Sequence, residues 1–310
     1  MRLPVQMCFC FVVAVSCLAP TINCADDKPV EAVAFQLAGG HNPLILVPVY
    51  VEEKGPYQFI LDTGAFRCLL SQELSATLGV RKEAEQQVSG AGGSMKISSA
   101  HVASLAVGSA RQQNVEVAIT DELSRFGEAV QSKVDGVVGF NFLKDFRVLL
   151  DYRHNVLRLS HSSAALRDES SGQSATSISF KLASPEQPLI LLPVFVNGRG
   201  PFQFVVDTGT SRTTLSFELA RKLGIVAVGD RHGTGGGGDV RILSGTADSL
   251  TVGKASAHNL SIGVGEFLGK LSAVAGAKFD GIVGDNFLNQ FEVTIDYPRS
   301  TVDLKPVELR

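Results

Sequence analysis

Tryptophan is missing from this chain, histidine occurs only six times, and no run of Lys or Arg interrupts a formal net charge of −3. Without a basic stripe there is no electrostatic footprint for DNA or RNA, which sets nucleic-acid binding aside. The histidines, at positions 41, 101, 154, 161, 232 and 258, match no metal-ligand spacing such as His-Glu-x-x-His. No Gly-x-Ser-x-Gly elbow supports a serine nucleophile. The expectation is therefore no metal, no cofactor and no Ser-His-Asp chemistry. Cysteine is almost confined to the start, at Cys8, Cys10, Cys17 and Cys24, and beyond these only Cys68 remains.

The N-terminus explains that distribution. Met1-Arg2 precedes a mostly apolar stretch from Val5 to Ala19, then Pro20 and small or polar residues as far as Asp26-Asp27. One positive charge before an apolar segment too short to span a bilayer has the form of a signal peptide, assigned to residues 1–25. Cleavage after Cys24 would leave Cys68 alone, with no partner for an internal disulfide. A lipid anchor at Cys17 or Cys24 is the alternative, but Ala14-Val15-Ser16 and Thr21-Ile22-Asn23 fit a lipoprotein signal poorly. The reading is export to the periplasmic or extracellular space as a soluble protein with no transmembrane span. At 310 residues and 45% hydrophobic composition, the remainder can bury one large core or two small ones.

The mature chain is a tandem duplication. Pro43 to Val80 aligns without a gap to Pro188 to Ile225, at a shift of 145 positions (207 − 62). VDGVVGFNFLKDFRVLLDY, from Val134, meets FDGIVGDNFLNQFEVTIDY, from Phe279, at the same shift. A repeat this long sets the architecture. It divides the chain into lobes at residues 33–160 and 178–305, joined by a Ser-rich polar linker at 161–177.

Within each copy, VAFQL and ISFKL, PLILVPVYV and PLILLPVFV, and YQFILD and FQFVVD are short β-branched or aromatic runs that predict strands. Lys54-Gly55-Pro56 and Arg199-Gly200-Pro201 are expected to form the hairpin turns, with Pro outside the ladder. A helix is predicted after each third strand, capped by Ser71 or Ser216 and closed by Gly79 or Gly224.

Each third strand runs into Asp-Thr-Gly, at Asp62-Thr63-Gly64 and Asp207-Thr208-Gly209. A carboxylate at a strand end followed by Gly is presented where the chain turns sharply. One such tripeptide is an ordinary turn; two in equivalent positions, each followed by a matching apolar-apolar-Gly run (Val137-Val138-Gly139 and Ile282-Val283-Gly284), are a pattern. Asp135 with Asp280, and Asp151 with Asp296, also recur, and are read as turn and strand-end residues.

On these motifs the chain resembles the aspartic peptidases of the retropepsin and pepsin type, over nearly the whole mature sequence. The first motif continues with Ala65, as in retropepsins, and the second half closes like a pepsin-type lobe. No pepsin-type flap tyrosine is evident, and each copy is compact beside a pepsin lobe. The resemblance implies an all-β, mainly antiparallel fold: two acid-protease-like β-barrel lobes about a pseudo-twofold axis, with one or two short helices per lobe. It implies that Asp62 and Asp207 are catalytic, that the loops Thr63-Gly64 and Thr208-Gly209-Thr210 support them, and that Thr63 and Thr208 brace one another. The glycine-rich stretches Ser89–Gly93 and Thr234–Gly238 lack a following Lys-Ser/Thr and so do not cradle phosphate. By resemblance they are flaps, with Gly92, Gly93, Gly236 and Gly237 over the substrate.

The implied activity is endopeptidase cleavage of a peptide or protein substrate, with water activated between two carboxyls that share one proton. Such sharing is a known property of the dyad in this family, and it comes to this chain with the resemblance. Thr210, with a hydroxyl where the first copy has Ala65, is expected to favour the charge on Asp207. A monomer with an internal pseudo-dimer is expected. Two alternatives stand beside it: a non-catalytic duplicated peptide-binding module, and a homodimer with two like-paired sites.

Overall fold

The computed structural model describes residues 31–40, 43–161 and 177–307. The expected leader, and the expected linker apart from its two end residues, lie outside the described residues.

Each repeat folds as an eight-stranded, mainly antiparallel sheet closed on itself. In the first lobe the strands run in the order 36–38, 44–51, 54–61, 136–138, 68–71, 110–120, 94–107 and 85–89, and strand 44–51 also pairs with 94–107 to close the barrel. The second lobe repeats this order and closes through 190–196 with 238–252. Closure joins the second strand of the order to the seventh, so only the outermost strands of each lobe, 36–38 and 85–89 in the first, remain as edges. Alternation does the rest: Val47, Val49 and Val51 on one strand, and Val194 and Val196 on its counterpart, point inward and are fully buried.

The predicted hairpin turns lie two residues away from their observed places. Val51 pairs with Lys54 and Val196 with Arg199, so the loops are Glu52-Glu53 and Asn197-Gly198, both with positive φ at each residue. That is the two-residue turn whose twist matches the flanking strands. Gly55-Pro56 and Gly200-Pro201 fall instead inside the following strands, at register shifts where a proline leaves no ladder bond broken.

The predicted helices are present at Gln72–Leu78 and Phe217–Leu223. Ser71 and Ser216 accept the Leu74 and Leu219 N–H groups, and Gly79 and Gly224 end the helices at φ 73°. Each lobe has two more helices among the described residues, Leu123–Val130 and Phe267–Ala275, and the single turns Phe140–Leu143 and Asp285–Leu288.

A third sheet joins the lobes. Its six strands run 32–34, 156–160, 147–151, 291–296, 301–306 and 178–179, with the central pair contributed by the two copies, Val148 opposite Ile295 and Leu150 opposite Val293. Val148, Leu150, Val293 and Ile295 are completely buried in one core that continues into both lobes. This sheet holds the barrels in a fixed relation, with the ends of the Asp-bearing strands facing one another.

Candidate active site

The Asp-bearing strands are central and apolar: Phe59 and Leu61 in one, Phe204 and Val206 in the other, are buried. Each pairs in parallel with the apolar-apolar-Gly strand, Phe59–Leu61 with Gly136–Val138 and Phe204–Val206 with Gly281–Val283. The Val138 carbonyl accepts the Asp62 N–H, and the Val283 carbonyl the Asp207 N–H, each at 3.1 Å. Beyond these strands the chain must pass very close to the Asp loops. A Cβ on Gly139 would lie 2.5 Å from the Arg67 carbonyl oxygen, and one on Gly284 2.6 Å from that of Thr210.

The loops lock across the lobe interface. The Thr63 and Thr208 hydroxyls each accept the other residue's backbone N–H at 3.1 Å; Thr63 Oγ1 donates to the Val206 carbonyl at 2.9 Å and Thr208 Oγ1 to that of Leu61 at 2.8 Å. Both threonines are buried, so the four bonds are shielded from water.

This lock brings the carboxyls together within one chain. The Asp207 carboxyl packs on Gly64, where a Cβ would come within 2.7 Å of its Cγ, and the Asp62 carboxyl packs in the same way on Gly209. Asp62 Oδ1 accepts the Gly64 N–H at 2.8 Å and the Ala65 N–H at 3.0 Å; Asp207 Oδ1 accepts the Gly209 N–H at 2.8 Å. Asp207 Oδ2 accepts the Thr210 hydroxyl at 2.7 Å, as the difference between Thr210 and Ala65 suggested.

The electrostatics are correspondingly unequal. Burial, then the negative charge of Asp207, hold Asp62 well above the usual carboxylate range against the Gly64 and Ala65 N–H groups. Burial raises Asp207 too, but the Thr210 hydroxyl and the Gly209 N–H oppose the rise by stabilising the charged form. The unequal hydrogen bonding makes Asp62 the harder of the two carboxyls to ionise and Asp207 the easier.

The pair lies on the floor of a cleft of about 760 Å³. Its walls are two satellite apolar clusters, one around Ile60, Leu123 and Val137 and the other around Val205, Phe279 and Ile282. Its roof is two hairpins, 85–107 and 228–252. Their tips meet, the Gly92 N–H donating to the Gly236 carbonyl at 2.9 Å. Of the four expected flap glycines, Gly236 lines the main cleft, Gly92 and Gly93 line an adjoining cavity, and Gly237 packs on Gly93. Gly90, Ala91 and Gly235, which belong to the same expected flap stretches, line the cleft as well. Among the described residues no group of His, Cys, Asp and Glu is arranged to hold a metal.

Three features went unread in the sequence. Asn141 Oδ1 accepts the Cys68 N–H at 2.8 Å and its amide donates to the Glu116 carbonyl; Asn286 does the same for Thr213 and Ser261, pinning the chain after each Asp loop. The recurring Asn-Phe-Leu was visible as a repeat, without a sign of its partners. Cys68 Sγ stands where Thr213 Oγ1 stands in the second lobe, accepting the Gly139 N–H as Thr213 accepts that of Gly284. Asp285, where the first copy has Phe140, is buried beneath the second Asp loop: its N–H donates to the Thr210 carbonyl and its Oδ1 accepts the Tyr152 hydroxyl of the other lobe at 2.7 Å. Burial, with Asp207's charge adding to it, pushes Asp285 well above the usual carboxylate range. Of the other recurring carboxylates, Asp151 and Asp296 close turns, accepting the His154 and Arg299 N–H groups. Asp135 and Asp280, read as turn residues, instead accept the N–H groups of Gln58 and Gln203, 77 positions away, and so tie the apolar-apolar-Gly segments to the Asp-bearing strands.

Paired barrels meeting at two interlocked Asp-Thr-Gly loops, beneath flaps, define an acid-protease architecture. The model of the aspartyl protease family matches the chain twice, over residues 47–142 and 192–287, and the chain belongs to that family as a tandem, retropepsin-like member. Peptide-bond hydrolysis is that family's general activity. No curated protein matches the chain.

Proposed function

We propose that the chain is an aspartic endopeptidase whose single site is the pair Asp62 and Asp207. The observation that carries this reading is the mutual packing of each carboxyl on the other loop's glycine, with a hydroxyl bound to one of them alone. Asp207, as the anion, takes a proton from a water between the carboxyls while the water attacks the peptide carbonyl carbon. Asp62 gives its proton to the carbonyl oxygen. Asp207 then gives the proton it took to the leaving nitrogen as the C–N bond breaks, Asp62 takes one back from the collapsing diol hydroxyl, and no covalent enzyme intermediate forms. The flaps hold an extended peptide through backbone hydrogen bonds and exclude bulk water.

Because both carboxyls come from one chain, a monomer suffices, and the like-paired homodimer loses its rationale. The buried, unequally hydrogen-bonded pair also favours catalysis over a passive peptide-binding role, since binding alone requires no shared proton. Export after removal of residues 1–25 completes the proposal, and N-terminal sequencing of the secreted protein tests it. The decisive experiment is cleavage of a mixed peptide library by the purified protein, with and without a pepstatin-type inhibitor. Asp62→Asn and Asp207→Asn should each abolish cleavage with folding retained. Most activity surviving in either variant overturns the single-site reading.

A further inference from the structure

The two flaps are not held alike. From the first lobe's helix Leu123–Val130, Arg125 donates through Nη2 to Asp239 Oδ1 at 2.7 Å and through Nη1 to Glu122 Oε2 at 3.0 Å. Asp239 lies just beyond the two-residue tip Gly236-Gly237 of the second lobe's flap, so the pair ties the flap of one lobe to the body of the other. Glu122 sits three residues before Arg125 and fixes the fork of the guanidinium before Asp239 arrives.

The pseudo-symmetric side lacks this tie. The 145-residue shift maps Arg125 onto Lys270, Asp239 onto Ser94 and Glu122 onto Phe267, leaving a cation with no carboxylate at the matching flap position. A second cavity of about 390 Å³ lies between Ser94 and Lys270 and the second flap, lined also by Glu266, Asp239 and Arg241, and it shares Gly90, Ala91, Phe267 and Val274 with the main cleft. The turns themselves do not differ: the Gly90 N–H donates to the Gly93 carbonyl at 2.7 Å and the Gly93 N–H to that of Gly90 at 3.4 Å, closing a two-residue tip Ala91-Gly92 like Gly236-Gly237, so the tie to Arg125 is what distinguishes the flaps.

We propose that Arg125 is a positioning residue that latches the second flap to the first lobe, so that the cleft opens by movement of the first flap, on the side of Ser94 and Lys270. Its importance for turnover presupposes the peptidase reading above; the latch itself does not. With side chains 36% and 63% exposed, the pair is a modest clamp that shifts a flap population about fivefold. That is enough for glycine-rich tips that meet mainly backbone to backbone.

Hydrogen exchange on the full chain, followed by mass spectrometry, needs no turnover and so separates the latch from the peptidase reading. After correction for intrinsic rates, residues 233–240 should exchange more slowly than 88–95 in the wild type. Arg125→Ala and Asp239→Asn should each erase about fivefold of that protection, and non-additively, because they break one pair. The exchanged pair Arg125→Asp with Asp239→Arg should restore it, and Ser94→Asp, which gives Lys270 a carboxylate, should slow exchange in the first flap. On a peptide substrate, loss of the latch should raise KM about fivefold with kcat changed by less than about twofold, as expected for binding lost equally from ground and transition states. Equal protection of the two flaps in the wild type, or no change at 233–240 in Arg125→Ala and Asp239→Asn, overturns the latch. A wild type that cleaves no peptide but keeps the exchange pattern overturns the peptidase reading and leaves the latch standing.

Discussion

Thr210 donates its hydroxyl to Asp207 Oδ2 at 2.7 Å, and Ala65, its counterpart 145 positions earlier, has no hydroxyl to offer Asp62. The two lobes are near copies, so this side chain makes the two carboxyls unequal, and in the proposed mechanism it favours the charge on Asp207. In the proposed mechanism activity needs the singly protonated pair, so the lower pH limb would report the first proton lost and the upper limb the second.

Thr210→Ala removes a hydrogen bond to the charged form of Asp207, so the first proton is held more tightly. The lower limb of the kcat/KM profile should move up by about one pH unit, the scale of one bond to a charged group. Ala65→Thr does the reverse at the other carboxyl: it stabilises the anion of Asp62 and should lower the upper limb. Unmoved limbs in both variants would remove Thr210 and Ala65 from the control of the dyad.

Thr63→Val and Thr208→Val each leave a buried N–H and a buried carbonyl across the lobe interface without their partners. Each should cost about 2–3 kcal/mol in denaturant unfolding, and Thr→Ser, which keeps the hydroxyl, much less. The double valine variant should cost less than the sum, since the bonds belong to one network.

Asp285 links pH to stability with a definite sign. Its carboxyl is raised in the folded protein, mainly by burial and also by the charge of Asp207, so the folded state binds its proton more tightly than the unfolded state does. The stability it contributes is complete below the ordinary carboxylate pKa and is lost as pH rises towards the folded value. Asp285→Asn should therefore flatten the decline of stability above about pH 4. Unfolding midpoints measured across pH check this, and an unchanged slope refutes it.

Burial pushes the Cys68 thiol up to about 12. The folded protein should resist thiol reagents at neutral pH and react only on unfolding. Cys68→Thr should fold and remain active, because Thr213 already fills the equivalent place in the second lobe.

Much of this is legible in the sequence. The duplication needed only the constant shift. The caps Ser71 and Gly79, and their copies, were readable because a cap bonds its own helix within a few residues. Asp62 and Asp207 stood out because the motif recurred. The hairpin turns were misplaced by two residues, because Glu52-Glu53 is a poor signal for a turn needing positive φ and Gly-Pro is a strong one. The tertiary fold put the strong signal in a bulge.

Local sequence determined the strands, the helix caps and the identity of the two carboxylates, since each depends on neighbours a few residues away or on a repeated motif. Tertiary structure alone decided that the Asp207 carboxyl rests on Gly64, that Tyr152 reaches Asp285, that Val148 lies opposite Ile295 in the shared sheet, and that Arg125 meets Asp239 while Lys270 lines a cavity with Ser94. The two members of every one of these pairs come from different copies of the repeat, far apart along the chain. Their pairing follows from the docking of two barrels through a common core, which no local pattern encodes.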